Sequence, residues 1–228
     1  MPQLRVASYN VHSLRDDRQA LAEVVRAIDP DVVIVQEAPR GLRWRTRCAA
    51  LARQFGLVYA AGGLPSLGNL ILVSYRVRVY GTGALRYPLT PGRHMRGAAF
   101  ARCVVDHAPF TVVGTHLATD SAERPGQARE LKKALADLDA PVVLGADFNE
   151  EPDGPSRRLV AEGLTEAAGA DPAGTYPVHA PRRRIDGLLV GPGIEVRGYR
   201  VADASPAHRA SDHFPIVAEL TLPARSQG

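Results

Sequence analysis

The sequence is poor in cysteine and has no long hydrophobic run. Its two cysteines, Cys48 and Cys103, lie far apart and outside any metal-binding spacing, which argues against a thiolate zinc site. We expect both to be small core residues. No HExxH motif is present, so zinc is a weaker candidate than other metals. No apolar segment has the shape of a signal peptide or the length of a membrane span, and we therefore expect a cytoplasmic protein.

The chain also has no low-complexity linker and no repeat of fixed period. Its 228 residues fit one domain, which we expect to span 1–222, followed by a disordered tail over 223–228. The apolar fraction of 45% and the charged fraction of 23% are typical of a globular protein. The formal net charge of +4 comes mostly from arginine and is compatible with a phosphate-bearing substrate, without identifying one.

Short β-branched runs alternate with amphipathic segments along the chain. The run 31–37 is continuously apolar until its end, which predicts a strand buried on both faces. Each half of the chain contains a strand–helix–strand pattern whose second strand ends in an acid, Glu37 in the first half and Asp147 in the second. Two packed β-sheets with helices outside them would account for these patterns.

Polar side chains stand repeatedly where a predicted strand begins or ends. They are Asn10, Glu37, His116, Asp147 with Asn149, Asp186, and Asp212 with His213. Taken alone, Asp147 and Asn149 are more simply interpreted as a turn or helix cap after the strand 142–144. The whole set indicates instead that one rim of the sandwich carries a functional site.

The residue types in this set restrict the chemistry. Glu37 and Asp147 offer hard oxygen ligands suited to Mg²⁺ or Mn²⁺. A histidine beside a carboxylate, such as His213, can be held in one tautomer and act on a phosphoryl oxygen or a water. These parts together favour metal-assisted hydrolysis of a phosphate ester, in which a positioned water attacks in line.

An ordered set of short motifs resembles the endonuclease/exonuclease/phosphatase superfamily and spans nearly the whole chain. The motifs are Tyr9-Asn10, Val35-Gln36-Glu37, Gly68-Asn69, Arg96-Gly97-Ala98, Gly114-Thr115-His116-Leu117, Gly145-Ala146-Asp147-Phe148-Asn149, Arg184-Ile185-Asp186 and Ser211-Asp212-His213. The resemblance implies an α/β fold, a four-layer sandwich of two packed mixed β-sheets flanked by helices. It also implies hydrolysis of phosphodiesters or phosphomonoesters with Mg²⁺, for which Mn²⁺ would be a substitute.

The resemblance also implies metal and substrate ligands. Glu37 would be the principal metal ligand, helped by Asn10, with Asp212 close to the metal. Asn69 and Arg96 would lie near the substrate, which we expect to be a phosphate ester, with nucleic acid among the candidates. We expect the protein to act as a monomer.

The catalytic residues implied by the resemblance come from the second half of the set. Asp147 would activate or orient the attacking water, and Asn149 would position it. His213 would contact the phosphate and be oriented by Asp186. His116 matches a histidine that contacts the phosphate in many members.

The sequence departs from the family pattern at positions that help to distinguish the branches of the superfamily. The family commonly has Gly-Asp-Phe-Asn, whereas here Ala146 stands between Gly145 and Asp147. The abasic-site DNA repair branch usually has a tyrosine where this chain has His116. The segment 150–154 resembles the sphingomyelinase-like and general phosphatase members, and we expect this chain to be nearer to them.

Two alternatives remain open at this stage. One is a DNA or RNA endo- or exonuclease of the same superfamily, and the other is a catalytically silent module that binds phosphate or nucleic acid. A series of arginines at 40, 43, 45 and 47 could neutralise a nucleic-acid strand, but its spacing favours a solvated helix face. Among the remaining histidines, His12 and His94 are those we expect to line the cleft.

Overall fold

Two six-stranded β-sheets form the centre of the protein in the computed structural model, which describes residues 1–170 and 173–223. The first sheet contains β1 (Gln3–Asn10), β2 (Val32–Gln36), β3 (Val58–Gly63), β4 (Asn69–Val73), β11 (Glu195–Val201) and β12 (Ile216–Thr221). The second contains β5 (Arg78–Arg86), β6 (Gly97–Val105), β7 (Ala108–His116), β8 (Val142–Asp147), β9 (Thr165–Glu166) and β10 (Asp186–Val190). Their strand orders are β11-β12-β1-β2-β4-β3 and β5-β6-β7-β8-β10-β9.

The described helices connect these strands. They are α1 (Arg18–Ile28), α2 (Trp44–Phe55), α3 (Arg124–Ala136), α4 (Pro155–Ala161) and α5 (Ala207–Ala210), together with a short 3₁₀ turn at His12–Leu14. Helix α1 begins after Asp17, whose carboxylate accepts hydrogen bonds from the backbone N–H groups of Gln19 and Ala20. This N-cap satisfies two of the amides that a helix start leaves without partners.

Both sheets are mixed, and each contains one parallel pair at its centre. β1 and β2 are parallel and joined through α1, while β7 and β8 are parallel and joined through α3. The registers pair Asn10 with Gln36 and His116 with Asp147. The two strand–helix–strand units predicted from the sequence are therefore present, and each brings its polar strand ends to one edge.

Three hydrophobic cores separate four layers. Along β2, Val33 and Val35 pack with residues of α1 and α2, while Val32 and Ile34 pack between the two sheets with residues of β6 and β7. A third core lies between the second sheet and the helices α3 and α4. The alternation follows from the period of two in a β-strand, and an apolar residue at every position is required because both faces are covered. The predicted α/β fold with two packed mixed sheets and flanking helices is confirmed.

Glycines in the second sheet allow it to approach Ile34 of the first. A Cβ atom on Gly114 would lie 2.7 Å from Ile34 Cγ2, and one on Gly145 would lie 2.7 Å from Ile34 Cδ1. Both distances are shorter than real contacts between carbon atoms. The small residue at the end of the 142–144 run is thus explained by packing between sheets.

The structure departs from the sequence expectations in a few places. The sequence pattern predicts a helix over 47–55, whereas α2 begins three residues earlier, at Trp44, whose indole lies close to Gly63. Helix α3 ends at Ala136 although the pattern predicted a helix to residue 139. The region 165–180, predicted to be irregular, contributes the short strand β9, which pairs with β10.

The remaining expectations concern the cysteines and the termini. Cys48 and Cys103 are buried free thiols, as predicted. The predicted disordered tail falls largely on residues 224–228, which lie outside the described residues. None of the helices that the structure describes is long and apolar enough to cross a membrane.

Candidate active site

The strand topology brings the predicted site residues to one edge of the two packed sheets. Asn10 ends β1, and Glu37 directly follows β2, its parallel neighbour. In the second sheet, Asp147 is paired with His116 of the parallel strand β7 and with Asp186 of the antiparallel strand β10. Because an antiparallel strand begins where its neighbour ends, a residue at a strand start joins the same rim.

Several non-glycine residues on this rim have left-handed backbone conformations. Glu37 has a φ of +58° and Asn149 a φ of +50°, each just beyond the end of a central parallel strand. The turn His12–Leu14 has positive φ at all three positions. Such conformations are uncommon outside glycine and cluster at functional sites, where the surrounding structure holds them.

Asp147 is the centre of a buried hydrogen-bond network. Its Oδ2 accepts from Asn10 Nδ2 at 2.9 Å and lies 3.2 Å from His116 Nε2 and 3.9 Å from His213 Nε2. Its Oδ1 accepts from the backbone N–H of Asn149 at 2.9 Å. Asp147 as a whole is 1% exposed, so these groups replace water as its hydrogen-bond partners.

His116 is held as a neutral ring. Burial lowers its pKa to about 3, assisted by the charges of Arg96 and His213, while Asp147 acts in the opposite direction. Arg96 Nη1 lies 3.2 Å from His116 Nδ1 and can only donate, so Nδ1 is the acceptor of this contact. Its Nε2 lies 3.2 Å from Asp147 Oδ2 and 2.9 Å from Asn149 Nδ2. The amide of Asn149 lies against the same ring edge and donates to the carbonyl of Leu117 at 3.0 Å.

His213 is held in the opposite charge state. Burial alone would lower its pKa, but the Asp186 carboxylate, 2.9 Å from Nδ1, raises it to about 10 together with Asp147 and Asp212. The ring therefore donates through Nδ1 to Asp186, which also accepts from Thr175 Oγ1 at 2.5 Å. Its Nε2–H remains as a charged donor on the side of Asp147. Two buried histidines thus flank one carboxylate, one neutral and one cationic.

Oxygen ligands suited to a divalent cation lie beside this network. Glu37 is partly exposed, and its Oε2 accepts from Ser13 Oγ at 2.8 Å. Asn10 Oδ1 accepts from the backbone N–H of His12, and an amide oxygen has a second lone pair to offer. Asp212 Oδ2 lies 3.8 Å from His12 Nε2. Carboxylate and amide oxygens of this kind fit Mg²⁺ or Mn²⁺.

A second group of potential metal ligands lies inside the buried network. Ligand atoms of Asp147, Asp186 and His213 all lie within 4.8 Å of one another. However, Nδ1 of His213 is hydrogen bonded to Asp186, and a protonated imidazole has no lone pair for a metal. The geometry of these three residues is therefore that of a charged hydrogen-bond pair beside a carboxylate, and a metal site at Glu37 stays a prediction.

A cavity of about 490 Å³ opens next to the network. Its basic lining residues are His12, Arg15, Arg40, Arg47, His94 and Arg96, and its acidic ones are Glu37 and Asp212. The buried residues Asp147, His116 and His213 do not line it. Arg96 connects the two regions because it lines the cavity and contacts His116, while Asp212 lines the cavity and directly precedes His213.

The arginines near the start of α2 lie in places that the sequence analysis did not predict. His12 and His94 line the cleft as expected, but Arg40 and Arg47, interpreted as part of a solvated helix face, also line it. The location of Arg40 in the cavity could have been predicted from the sequence, because Arg40 lies in the same loop as Glu37. Arg45, in contrast, stacks on the ring of Trp44 at 4.5 Å and is not part of the lining.

Asn69 lies away from the cavity lining. Its side chain is buried, and its Nδ2 donates to the carbonyl oxygens of Ser66 and Gly97, each at 2.8 Å. These bonds tie the loop before β4 to the start of β6. The role of Asn69 in substrate binding stays a prediction, and its observed contacts are those of a residue that supports the loop.

Sequence reasoning assigned no role to Arg157, which proves to be a buried support of the site. It is 1% exposed, lies over the ring of Phe148 at 4.8 Å, and donates to Glu166 at 2.7 Å. It also donates to the carbonyl oxygens of Arg184 and Asp186. Arg157 thereby joins the loop after Asp147 to the strand that carries Asp186. Its sequence neighbour Arg158 is exposed, so no local signal separates the two.

Comparison with known proteins agrees with this geometry. The sequence model of the Endonuclease/Exonuclease/phosphatase family matches residues 7–213. No curated protein has a sequence that matches this chain significantly.

Solved structures with a similar fold include proteins described with different phosphate-containing or anionic ligands. Mannosyl-6-phosphatase from Bacteroides thetaiotaomicron is 18% identical with a TM-score of 0.79, over 96% of this chain and 100% of that chain. TDP2 from D. rerio, complexed with a single-strand DNA product, is 18% identical with a TM-score of 0.75, over 97% and 100%. The human Nocturnin catalytic domain with a bound sulfate anion is 17% identical with a TM-score of 0.74, over 96% and 94%. At these identities the likeness concerns the fold.

Proposed function

Because the chain belongs to the endonuclease/exonuclease/phosphatase family, we propose that it is a metal-dependent phosphoesterase that hydrolyses a phosphate ester by in-line attack of a water. The observation that carries this proposal is the position of Asp147 between a neutral and a cationic histidine, beside the oxygen ligands of Glu37. In such an arrangement Asp147 can act as the base and the cationic His213 as the proton or hydrogen-bond donor, and ester hydrolysis uses both roles.

The metal would be held by Glu37 and Asn10, with Asp212 close to it. A divalent cation bound there supplies charge neutralisation on the phosphoryl group. This role accounts for two carboxylates in a cavity that is otherwise basic. Mg²⁺ is the cation that best fits this set of oxygen ligands, with Mn²⁺ as its substitute.

Asp147 is suited to accept a proton from the attacking water. Asn10 Nδ2 and the Asn149 N–H each donate a hydrogen bond to one of its two oxygens and so orient the carboxylate. Asn149 would position the water from the same loop. Both oxygens are oriented by fixed donors, so little reorganisation is needed when the proton moves.

The histidines would act on the phosphate itself. His213 presents a charged Nε2–H whose orientation is set by Asp186, and this donor can stabilise charge that develops on a phosphoryl oxygen. Neutral His116 orients Asp147 and is itself held by Arg96. The substrate stays open between a monoester and a diester, since the named relatives act on a sugar phosphate and on DNA. The predicted branch, the monomeric state and the cytoplasmic location stay predictions.

The test is hydrolysis of p-nitrophenyl phosphate and bis-(p-nitrophenyl) phosphate with Mg²⁺, with Mn²⁺ and with EDTA. Turnover should require the metal, and Asp147→Asn and His213→Gln should each lower kcat by about 10²–10⁴-fold. Glu37→Gln should raise the Mg²⁺ concentration needed for half-maximal rate. Asp153→Asn, an exposed carboxylate on the loop after Asn149, is the matched control and should leave the rate unchanged.

Two outcomes would contradict the proposal. Activity that survives EDTA, or that survives both Asp147→Asn and His213→Gln, would exclude this mechanism. Metal-dependent binding without turnover across monoesters, diesters and oligonucleotides would indicate the catalytically silent binding module instead.

A further inference from the structure

The cavity contains more positive charge than the metal chemistry uses. Four arginines line it, Arg15, Arg40, Arg47 and Arg96, against the two carboxylates of Glu37 and Asp212. The formal balance is 4 − 2, an excess of two positive charges, before any metal is bound. Within residues 1–170 and 173–223, none of these four guanidinium groups has a carboxylate at ion-pair distance. Unpaired like charges in one cavity repel each other, and an anionic ligand removes that cost.

Arg40 is held in place by uncharged groups that leave most of its donors available. Its Nη1 donates to the carbonyl oxygens of Leu67 and Met95, each at 3.3 Å. These two bonds fix the guanidinium between two loops of the cavity wall. Arginine has five N–H donors in a planar fork, so Nε and Nη2 remain free to bind an anion. A backbone-anchored arginine of this kind is preorganised, which lowers the entropic cost of binding.

Arg96 adds a second indication that an anion belongs here. Its Nη1 contacts His116, whereas its Nε is buried without a hydrogen-bond partner. A buried donor without a partner costs free energy unless a ligand completes it. Burial lowers the pKa of Arg96 and the charge of Arg40 adds to this, while Asp147 and Glu37 act in the opposite direction. The two arginines are therefore close enough to affect one another.

Two basic side chains near these arginines have acidic partners. Arg93 lies 2.5 Å from Asp120, and His12 Nδ1 lies 2.7 Å from Asp16. The four arginines of the lining differ from these two side chains because, among the described residues, they have no carboxylate at ion-pair distance. A nucleic-acid strand is bound along an extended basic groove, whereas about 490 Å³ is the size of a small-molecule pocket.

We propose that Arg40 and Arg47 form a second anion subsite, and that the substrate is a small phosphate ester that carries a second phosphate or carboxylate group. This inference rests on the proposed function, since the first phosphate is the one placed at Glu37, Arg96 and His213. The second anionic group binds between Arg40, on the segment that connects β2 to α2, and Arg47, in the first turn of α2. Guanidinium forks match the geometry of phosphate and carboxylate oxygens, which favours recognition by paired hydrogen bonds.

The test is calorimetric binding to the Mg²⁺-loaded protein of two series of compounds. One series is linear alkyl monophosphates of two to six carbons, and the other is the corresponding α,ω-bisphosphates. At the best chain length the bisphosphate should bind at least about tenfold more tightly than its monophosphate. In the double variant Arg40→Gln with Arg47→Gln, the ratio of the two dissociation constants should fall toward one.

Arg45→Gln is the matched control. It removes the same charge from the same helix, but Arg45 stacks on Trp44 outside the cavity lining. The bisphosphate preference should survive in this variant, and loss of it there would show that only the overall charge matters. The inference is also overturned if no bisphosphate exceeds its monophosphate, or if the preference survives in the double variant.

Because calorimetry measures binding without turnover, it tests the anion subsite separately from the phosphoesterase function. A bisphosphate preference without turnover of any ester would contradict the phosphoesterase function and leave the subsite standing. Turnover of p-nitrophenyl phosphate without a bisphosphate preference would contradict only the subsite. Tighter binding of a single-stranded oligonucleotide than of any bisphosphate, weakened equally by Arg45→Gln, would assign the charge to nucleic acid.

Discussion

Asn10 and Asp147 are hydrogen bonded across the two sheets, with Asn10 Nδ2 donating to Asp147 Oδ2 at 2.9 Å. Asn10 is the last residue of β1 in the first sheet, and Asp147 is the last residue of β8 in the second. The bond joins residues that are 137 positions apart in the chain. The central carboxylate is therefore oriented only when both sheets are packed together, and folding and site assembly are coupled.

Replacement of Asn10 by alanine should reduce both activity and stability. A buried oxygen of Asp147 loses a donor, which should lower the free energy of unfolding by about 1–3 kcal/mol. Loss of the group that orients the carboxylate should lower kcat by about 10–100-fold. Urea denaturation and steady-state kinetics measure the two effects. Gln19→Ala, which removes an exposed amide from α1, should change neither, and an unchanged kcat in Asn10→Ala would contradict the orienting role.

The charge of His213 should depend on Asp186. In EDTA, where no metal affects the ring, the pKa of about 10 predicts a protonated imidazole at pH 8. Asp186→Asn should leave burial as the dominant influence and give a neutral ring at the same pH. NMR of the imidazole nitrogens measures this directly, and equal spectra for the two proteins would contradict the role of Asp186.

The same raised pKa has a consequence for stability. A histidine whose folded pKa exceeds its ordinary value stabilises the fold fully below that ordinary value, near 6.5, and this contribution is lost as the pH rises through about 10. In EDTA, the difference in urea midpoint between wild type and His213→Gln should therefore shrink between pH 6 and pH 10.5. His107→Gln, in an exposed turn, should show no such change with pH.

Arg157 should contribute far more to stability than Arg158, its neighbour in α4. Arg157→Met leaves Glu166 without its closest cation and breaks the bonds to the segment 184–186, which should cost about 3–5 kcal/mol. Arg158→Met removes an exposed charge and should cost little. Equal urea midpoints for the two variants would contradict the buried network.

Gly145 should tolerate no side chain. A Cβ atom there would lie 2.7 Å from Ile34 Cδ1 and 2.9 Å from Ser8 Oγ, so Gly145→Ala should cost about 1–3 kcal/mol by overpacking. Gly41→Ala, whose Cβ would meet nothing within 4 Å, is the control. Ile34→Val removes the clashing methyl group, and the double variant should be less destabilised than the sum of the single changes. Additive costs would show that Ile34 is not the obstacle.

Much of the fold follows from local patterns. The apolar run 32–35 predicts a strand covered on both faces, and it packs against helices on one side and the second sheet on the other. The amphipathic pattern before residue 29 predicts α1, whose start is specified by Asp17. These elements were predictable because periods of 2 and 3.6 residues record which faces are buried.

The polar residues at strand ends were also visible in the sequence, and the structure brings most of them together. Asp147, His116 and His213 converge in one buried network, as their shared position at strand ends suggested. Asn69 behaves differently, since its amide supports a loop and lies outside the cavity lining. A motif position shows where a residue lies along the chain, but its hydrogen-bond partners depend on what folds against it.

The sequence by itself therefore determined the order of elements, the two strand–helix–strand units, and the rim on which the candidate site lies. Tertiary structure alone decided the charge states of His116 and His213, because desolvation and neighbouring charges set them. It also decided that Arg40 and Arg47 line the cavity while Arg45 does not, and that Arg157 is buried while Arg158 is exposed. Residues of identical type and nearly identical local context differ here because burial and pairing arise from contacts distant in sequence, which local periodicity does not record.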